Sequence, residues 1–77
     1  MKVKNIGSNM TEIEVGDYTI LVSYQTPVAC FISGRGYVRT SQKFSVTTSR
    51  HINKWLDGAA CEIESQEYFN NLLAVKE

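Results

Sequence analysis

The run YTILVSY, residues 18–24, decides the fold of this chain. Its β-branched and aromatic residues favour a strand, and the unbroken apolar core Ile20-Leu21-Val22 is typical of a central strand that is buried on both faces. We expect a helix to cover one face and another subunit to cover the other. Pro27 ends the β-rich run, because proline has no N–H for a sheet hydrogen bond and restricts the residue before it.

Shorter β patterns flank this run. Residues 11–15 alternate between apolar and acidic side chains, which predicts a half-buried strand, and Gly16-Asp17 then predicts a two-residue turn. The segment Gly34-Arg35-Gly36 predicts a hairpin turn with an exposed arginine at its tip. The chain therefore predicts a meander of four or five strands, which fall at residues 11–15, 18–24, 28–33, 37–40 and 43–46.

The pattern changes to a helical period in TTSRHINKWLDG, residues 47–58. Thr48 or Ser49 is expected to cap the N-terminus of this helix through a side-chain oxygen, and Gly58 to stop it with a left-handed backbone. Four apolar residues stand three or four positions apart and form one stripe that faces the sheet: Ile52, Trp55, Leu56 and Ala59.

A second helix is predicted to begin at Ser65, an N-cap that is followed by an acid in the first turn. Between the helices, Cys61–Glu64 alternates and fits either a short strand or an extended linker. The element order indicates an α+β fold, an antiparallel β-meander of four to five strands packed by two C-terminal helices. We expect Trp55 and Phe69 to be buried against the sheet. The full buried face of the second helix is expected to be Tyr68, Phe69, Leu72 and Leu73.

Length and composition predict one small domain, residues 1–77, with 43% hydrophobic and 21% charged residues. The two cysteines, Cys30 and Cys61, form no CxxC pair, and with His51 they fall one ligand short of a structural zinc site. We expect both to behave as small buried apolar residues in a reducing cytoplasm, with a disulfide between them as the alternative. We expect no cofactor and no metal.

His51 is the only histidine. A catalytic base needs a nucleophile to activate and a carboxylate to orient it, and the sequence near His51 offers no acid before Asp57. We therefore expect no enzymatic activity. The simplest interpretation places His51 at the edge of the apolar stripe, satisfied by a backbone carbonyl, and a contact to a partner is the alternative.

The middle of the chain is basic although the net charge is zero. Arg50 and Lys54, one helical turn apart, repel each other slightly, and an anionic partner would offset that cost. We predict a partner-binding surface that combines basic and uncharged contacts; the alternative is a solvated face whose charges pair with acids of the same chain. The predicted partner-binding residues are Tyr24, Arg39, Lys43, Arg50, His51 and Lys54.

Two segments, LVSYQTPVA (residues 21–29) and TTSRHINKWL (residues 47–56), together with Ser45 before the second, resemble a small uncharacterised domain family of bacteriophage proteins with the pattern VSYxTPVA, then S-TTSKHIN-W. The match includes Ser23, Tyr24, Thr48 and His51, with Arg50 where lysine is common. The resemblance implies a phage source and a place in the host cytoplasm.

Small phage proteins of this kind are frequently inhibitors of host defence. We therefore expect a stoichiometric inhibitor that binds a host protein, such as a restriction, CRISPR or BREX-type component. The alternative is a small DNA- or RNA-binding accessory protein that uses the basic middle segment, and a weaker third option is a virion or packaging component.

We also expect a homodimer. Two short helices can cover only one face of a sheet this size, which leaves the other face, or the edge at residues 28–33, for a second copy.

Overall fold

The computed structural model describes the backbone of residues 2–74 and the side chains of residues 2–72. Over this range the predicted α+β fold, with its meander of antiparallel strands, is confirmed, although the sheet has six strands where four or five were expected. None of the described helices is long and apolar enough to cross a membrane. The elements are β1 (Lys2–Gly7), β2 (Met10–Val15), β3 (Tyr18–Ser23), β4 (Thr26–Ile32), β5 (Gly36–Thr40), α1 (Val46–Leu56), β6 (Cys61–Glu64) and α2 (Gln66–Ala74).

The order of the strands in the sheet is their order in the chain. β1 to β5 are antiparallel neighbours, whereas β6 pairs with β5 in parallel. A parallel pair needs a crossover connection, and α1 provides it. Cys61–Glu64, which the sequence left open, is therefore a strand, and its pairing with β5 makes the sheet mixed.

Two rows of residues cross the whole sheet and define its faces. Lys4, Glu12, Leu21, Ala29, Arg39 and Ile63 stand opposite one another from β1 to β6, and the next row is Val3, Ile13, Ile20, Cys30, Val38 and Glu62. Since successive residues of a strand point to opposite faces, the two rows lie on opposite sides. The first row lies on the side of the sheet that α1 covers, the α1 face, and the second on the side that α2 covers, the α2 face.

Each helix closes one half of the core. Ile52 and Leu56 of α1 pack with Leu21 and Ala29 on the α1 face. Phe69 of α2, which is completely buried, packs with Ile20, Val22, Cys30 and Val38 on the α2 face.

The premise of the homodimer prediction is therefore wrong, because the helices of the chain itself cover both faces of the central strands. The proposed edge at residues 28–33 is also wrong, since β4 lies between β3 and β5. The homodimer itself stays a prediction. The strands at the ends of the sheet are β1 and β6.

The start of α1 differs from the prediction. Residues 43–45 form no strand, and Ser45, rather than Thr48 or Ser49, is the N-cap: its hydroxyl accepts a hydrogen bond from the Thr48 N–H at 3.2 Å. The helix ends at Leu56, and Asp57 already has the left-handed backbone (φ 52°) that was expected of Gly58 alone. The predicted cap of α2 is confirmed, because the Ser65 hydroxyl accepts from the Tyr68 N–H at 3.3 Å.

The stripe residue Trp55 is only partly buried, which corrects the expectation of full burial. Its indole N–H donates to the carboxylate of Glu12 at 2.7 Å, and its ring packs edge-on against Tyr37 at 5.5 Å between centroids. Phe69 is buried as predicted, Tyr68 and Leu72 are partly buried, and the side chain of Leu73 lies outside the described residues.

The replacement Phe69→Ala should lower the free energy of unfolding by about 3–5 kcal/mol, because it leaves a cavity where α2 meets the sheet. A domain of this size has little more stability than that to lose. Urea denaturation followed by circular dichroism measures the loss. Phe44→Ala is the matched control, since Phe44 is 38% exposed, and its loss should be smaller. Equal losses for both variants would contradict the assigned core.

Candidate functional site

A buried hydroxyl network joins the end of β3 to α1. The Ser23 hydroxyl oxygen lies 2.8 Å from Nδ1 of His51 and 3.1 Å from the hydroxyl oxygen of Thr48. Ser23 and Thr48 are 2% and 6% exposed, so water has little access to the bond between them, whereas the bond to His51 is partly buried. Ser45 extends the network, since its hydroxyl donates to that of Thr48 at 3.4 Å. The network fixes the first turns of α1 on the sheet.

The Ser23–His51 pair has the spacing of a nucleophile and its base, but its surroundings do not suit catalysis. The Ser23 side chain is almost completely buried, so a substrate cannot reach its oxygen. Among the described residues, no carboxylate is hydrogen-bonded to His51 to orient the ring. The geometry assigns the pair a structural role, and a serine hydroxyl takes the place of the backbone carbonyl expected for His51.

Tyr24 follows Ser23 in the two-residue loop between β3 and β4. Its backbone is left-handed, with φ 59°, a conformation that a bulky side chain rarely adopts. The Tyr24 N–H donates to the carbonyl of Asn9 at 2.8 Å, which holds the loop in place. The side chain is nevertheless 51% exposed, and its ring lies 5.8 Å from that of His51. An exposed aromatic ring on a strained backbone is a reason to suspect function.

The structure brings some of the predicted site residues together. Tyr24 and His51 are in ring contact, and Arg50 is next to His51 on α1, with Lys54 one turn further along the same exposed side of the helix. We call these four residues, Tyr24, Arg50, His51 and Lys54, the Tyr24 surface.

Arg39 and Lys43 stand apart from this surface. Arg39 is half-buried on β5, where its Nε donates to the carbonyl of Thr40 at 3.5 Å, and Lys43 is exposed in the loop before α1. Within residues 2–72 neither forms a hydrogen bond or ring contact with Tyr24 or His51. The placement of Arg39 and Lys43 therefore gives no support for including them in the same surface.

Among residues 2–72, Arg35 is the basic residue that forms ion pairs within the chain. Its guanidinium lies 2.6 Å from the Glu62 carboxylate and 3.0 Å from that of Glu64, and it stacks over the Tyr68 ring. The hydrogen bonds to Glu62 and Glu64 raise the pKa of Arg35 above its ordinary value. These are the ion pairs found in the described part of the chain, so Arg50 and Lys54 have no acidic partner there.

The other polar features of the described residues have fewer groups available for binding or catalysis. A shallow pocket of about 310 Å³ beside Arg35 is lined by Gly36, Tyr37, Ala60, Cys61 and Glu62, and its cation is already paired. Residues 2–72 contain no cluster of three His, Cys, Asp or Glu side chains that could hold a metal ion.

The two cysteines are both free thiols. Cys30 lies in the α2-face row, whereas Cys61 stands opposite Tyr37 in a row of the α1 face, so the sheet separates them and a disulfide cannot form. Burial raises the pKa of the Cys30 thiol to about 11, which keeps it protonated at neutral pH.

A family model matches residues 1–71 of this chain, which has 77 residues. The chain belongs to a family of unknown function, DUF8033. The expectation of a small uncharacterised family is confirmed at this level. No curated protein and no solved structure matches the DUF8033 chain.

Sequence patterns missed Ser23 and Thr48 as partners of His51 in the DUF8033 chain. Ser23 and His51 are 28 positions apart, and no local period links them. The signal that could have found them is the resemblance itself, because its two segments contain all three residues. Hydrogen bonds join the two segments, because the first contributes Ser23 and the second contributes Thr48 and His51.

Ser23→Ala should lower the free energy of unfolding by about 1–3 kcal/mol, because it leaves the buried Thr48 hydroxyl and the His51 ring without their shared partner. Ser33→Ala is the matched control, since Ser33 is exposed and its side chain forms no hydrogen bond within residues 2–72. Its effect should stay within about 0.5 kcal/mol. Parallel urea titrations measure both, and a Ser23→Ala value as small as the control would rule out the network as a stabilising link.

Proposed function

We propose that this DUF8033 chain is a small binding protein that holds a partner protein through the Tyr24 surface. The observation that carries the proposal is Tyr24 itself, an exposed tyrosine kept on a strained backbone beside a helix that is fixed by buried hydrogen bonds. Tyrosine and arginine are the residues that most often dominate binding energy at protein interfaces. A pre-ordered surface also loses little conformational entropy on binding.

The charge of this surface indicates the chemistry of the partner. Arg50 and Lys54 repel each other slightly along α1 and have no acidic partner within the described residues. An acidic patch on a partner would remove that repulsion, and it would set the association rate and the orientation of the complex. The proposed partner surface is therefore acidic.

The resemblance to phage domains narrows the proposal. We infer a phage protein that acts in the host cytoplasm as a stoichiometric inhibitor of a defence component of the restriction, CRISPR or BREX type. Such machines handle nucleic acids or nucleotides, and the inhibitor would occlude the surface that does so.

The second candidate function is binding to DNA or RNA. Tyr24 offers a ring on which a base can stack, and Arg50 and Lys54 could neutralise phosphates beside it. The net charge of zero weighs against this candidate, because phosphate neutralisation supplies most of the affinity of nucleic-acid-binding proteins.

The experiment compares the parent chain with Arg50→Glu/Lys54→Glu in pull-downs from host lysate, each run with and without nuclease treatment of the lysate. We expect the parent to retain a specific host protein at a one-to-one ratio and the double reversal to lose it, because two repulsive charges would face the acidic partner. The melting temperature should change little, since both positions are exposed.

Lys2→Glu/Lys4→Glu is the control, because it changes the net charge equally on β1, which contributes no residue to the Tyr24 surface. It should retain the host protein as the parent does. Equal retention by the parent and the Arg50/Lys54 variant would reject the Tyr24 surface. Retention that disappears after nuclease treatment, together with parent binding to duplex or single-stranded nucleic acid, would instead favour the second candidate.

A further inference from the structure

We propose that copies of this chain associate edge to edge, with β1 of one copy pairing with β6 of the next. The two strands at the ends of the sheet complement each other in charge and in their exposed apolar residues, and they become antiparallel when the next copy is turned over. This inference uses surfaces that the proposed function does not use, and it stands or falls independently of it.

Both strands have a free edge in the described part of the chain, since the sheet runs from β1 to β6 with no strand beyond either. The Ser41 N–H donates to the Glu64 carbonyl at 2.8 Å, so the backbone groups of Glu64 point toward β5. Because these groups alternate in direction along a strand, the N–H and C=O of Ile63 point outward. A free edge of this kind recruits another strand.

The side chains of the two edges match. β1 carries Lys2-Val3-Lys4, and Val3 is 63% exposed. β6 carries Glu62-Ile63-Glu64, and Ile63 is 64% exposed. Each edge is therefore an exposed apolar residue between two like charges, and the charges have opposite signs on the two edges.

One arrangement satisfies both the charged and the apolar residues. Val3 lies on the α2 face and Ile63 on the α1 face, so the next copy must be turned over to bring them together. Within one chain, β1 and β6 run in the same direction. Turning the next copy over about an axis that crosses the strands reverses the direction of its β1. That β1 then runs antiparallel to β6 of the first copy.

In this arrangement Val3 stands opposite Ile63 on one face, and on the other face Lys2 stands opposite Glu64 and Lys4 opposite Glu62. Cross-strand pairs of these two kinds, apolar and oppositely charged, stabilise antiparallel sheets. Without the turn, lysine would stand beside Ile63, and glutamate beside Val3.

The β6 edge retains negative charge although both of its glutamates pair with Arg35. Glu62 and Glu64 share the single guanidinium of Arg35, which leaves one net negative charge, and their side chains are still 59% and 36% exposed. The lysines of β1 are exposed and make no ion pair within residues 2–72. Both partners of each proposed ion pair are therefore accessible.

The contact is heterologous, because each copy uses β6 on one side and β1 on the other. Such contacts leave a free edge at each end and do not close at the dimer. The parent chain should therefore form assemblies that grow with concentration.

The test uses Val3→Asp, which blocks the β1 edge, and Ile63→Asp, which blocks the β6 edge. By light scattering, the parent should show a mass that rises beyond the dimer as its concentration approaches the millimolar range. Each variant alone should be a monomer, since one functional edge has no complement. An equimolar mixture should form a one-to-one complex and stop there, because Val3→Asp keeps β6 and Ile63→Asp keeps β1.

Val46→Asp is the control, since Val46 is 70% exposed at the start of α1 and belongs to neither edge strand. It should assemble as the parent does, and circular dichroism verifies that every variant is folded. A parent that stays monomeric throughout, a single blocked variant that still associates, or a mixture that shows no complex would overturn the proposal.

Discussion

The constraint on which the structure depends is that its central strand is apolar on both faces. Ile20 and Val22 point to one side of β3 and Leu21 to the other, and all three are buried. A strand of this kind is stable only if both faces are covered. The chain meets this need by placing α1 on one face and α2 on the other. α1 forms the crossover from β5 to β6, and β6 then connects α1 to α2.

The sequence predicted the parts of the fold that depend on local pattern. The alternation at residues 11–15 became part of β2, and the apolar run at residues 18–24 became β3 as far as Ser23. The stripe with Ile52 and Leu56 became the buried side of α1. The predictions from sequence were wrong where pairing with another strand determines whether a segment is a strand. β1 is largely polar and exposed, and it is a strand because β2 pairs with it, whereas residues 43–45 resemble a strand but have no neighbour to pair with. Periodicity identifies a buried face, but it does not say which side of a sheet a helix covers.

The candidate site shows the same division. The exposed charges of Arg50 and Lys54 followed from the helical period, and so did the position of His51 beside the stripe. The link from His51 to Ser23 could not be predicted from spacing, because it depends on how α1 lies across the end of β3. The half-buried position of Arg39 is likewise a result of its place on β5, in the same row as Ala29 and Ile63.

The order of the strands has a consequence for how the chain folds. Every antiparallel neighbour in the sheet is also the next strand in the chain, so β1 to β5 can form by successive local hairpins with little loss of loop entropy. β6 is different, because it reaches its place only after the chain has passed through α1. We therefore expect β6 to pair with β5 late in folding and to separate from it first when the protein unfolds. The ion pairs of Arg35 with Glu62 and Glu64 should form and break at the same stages.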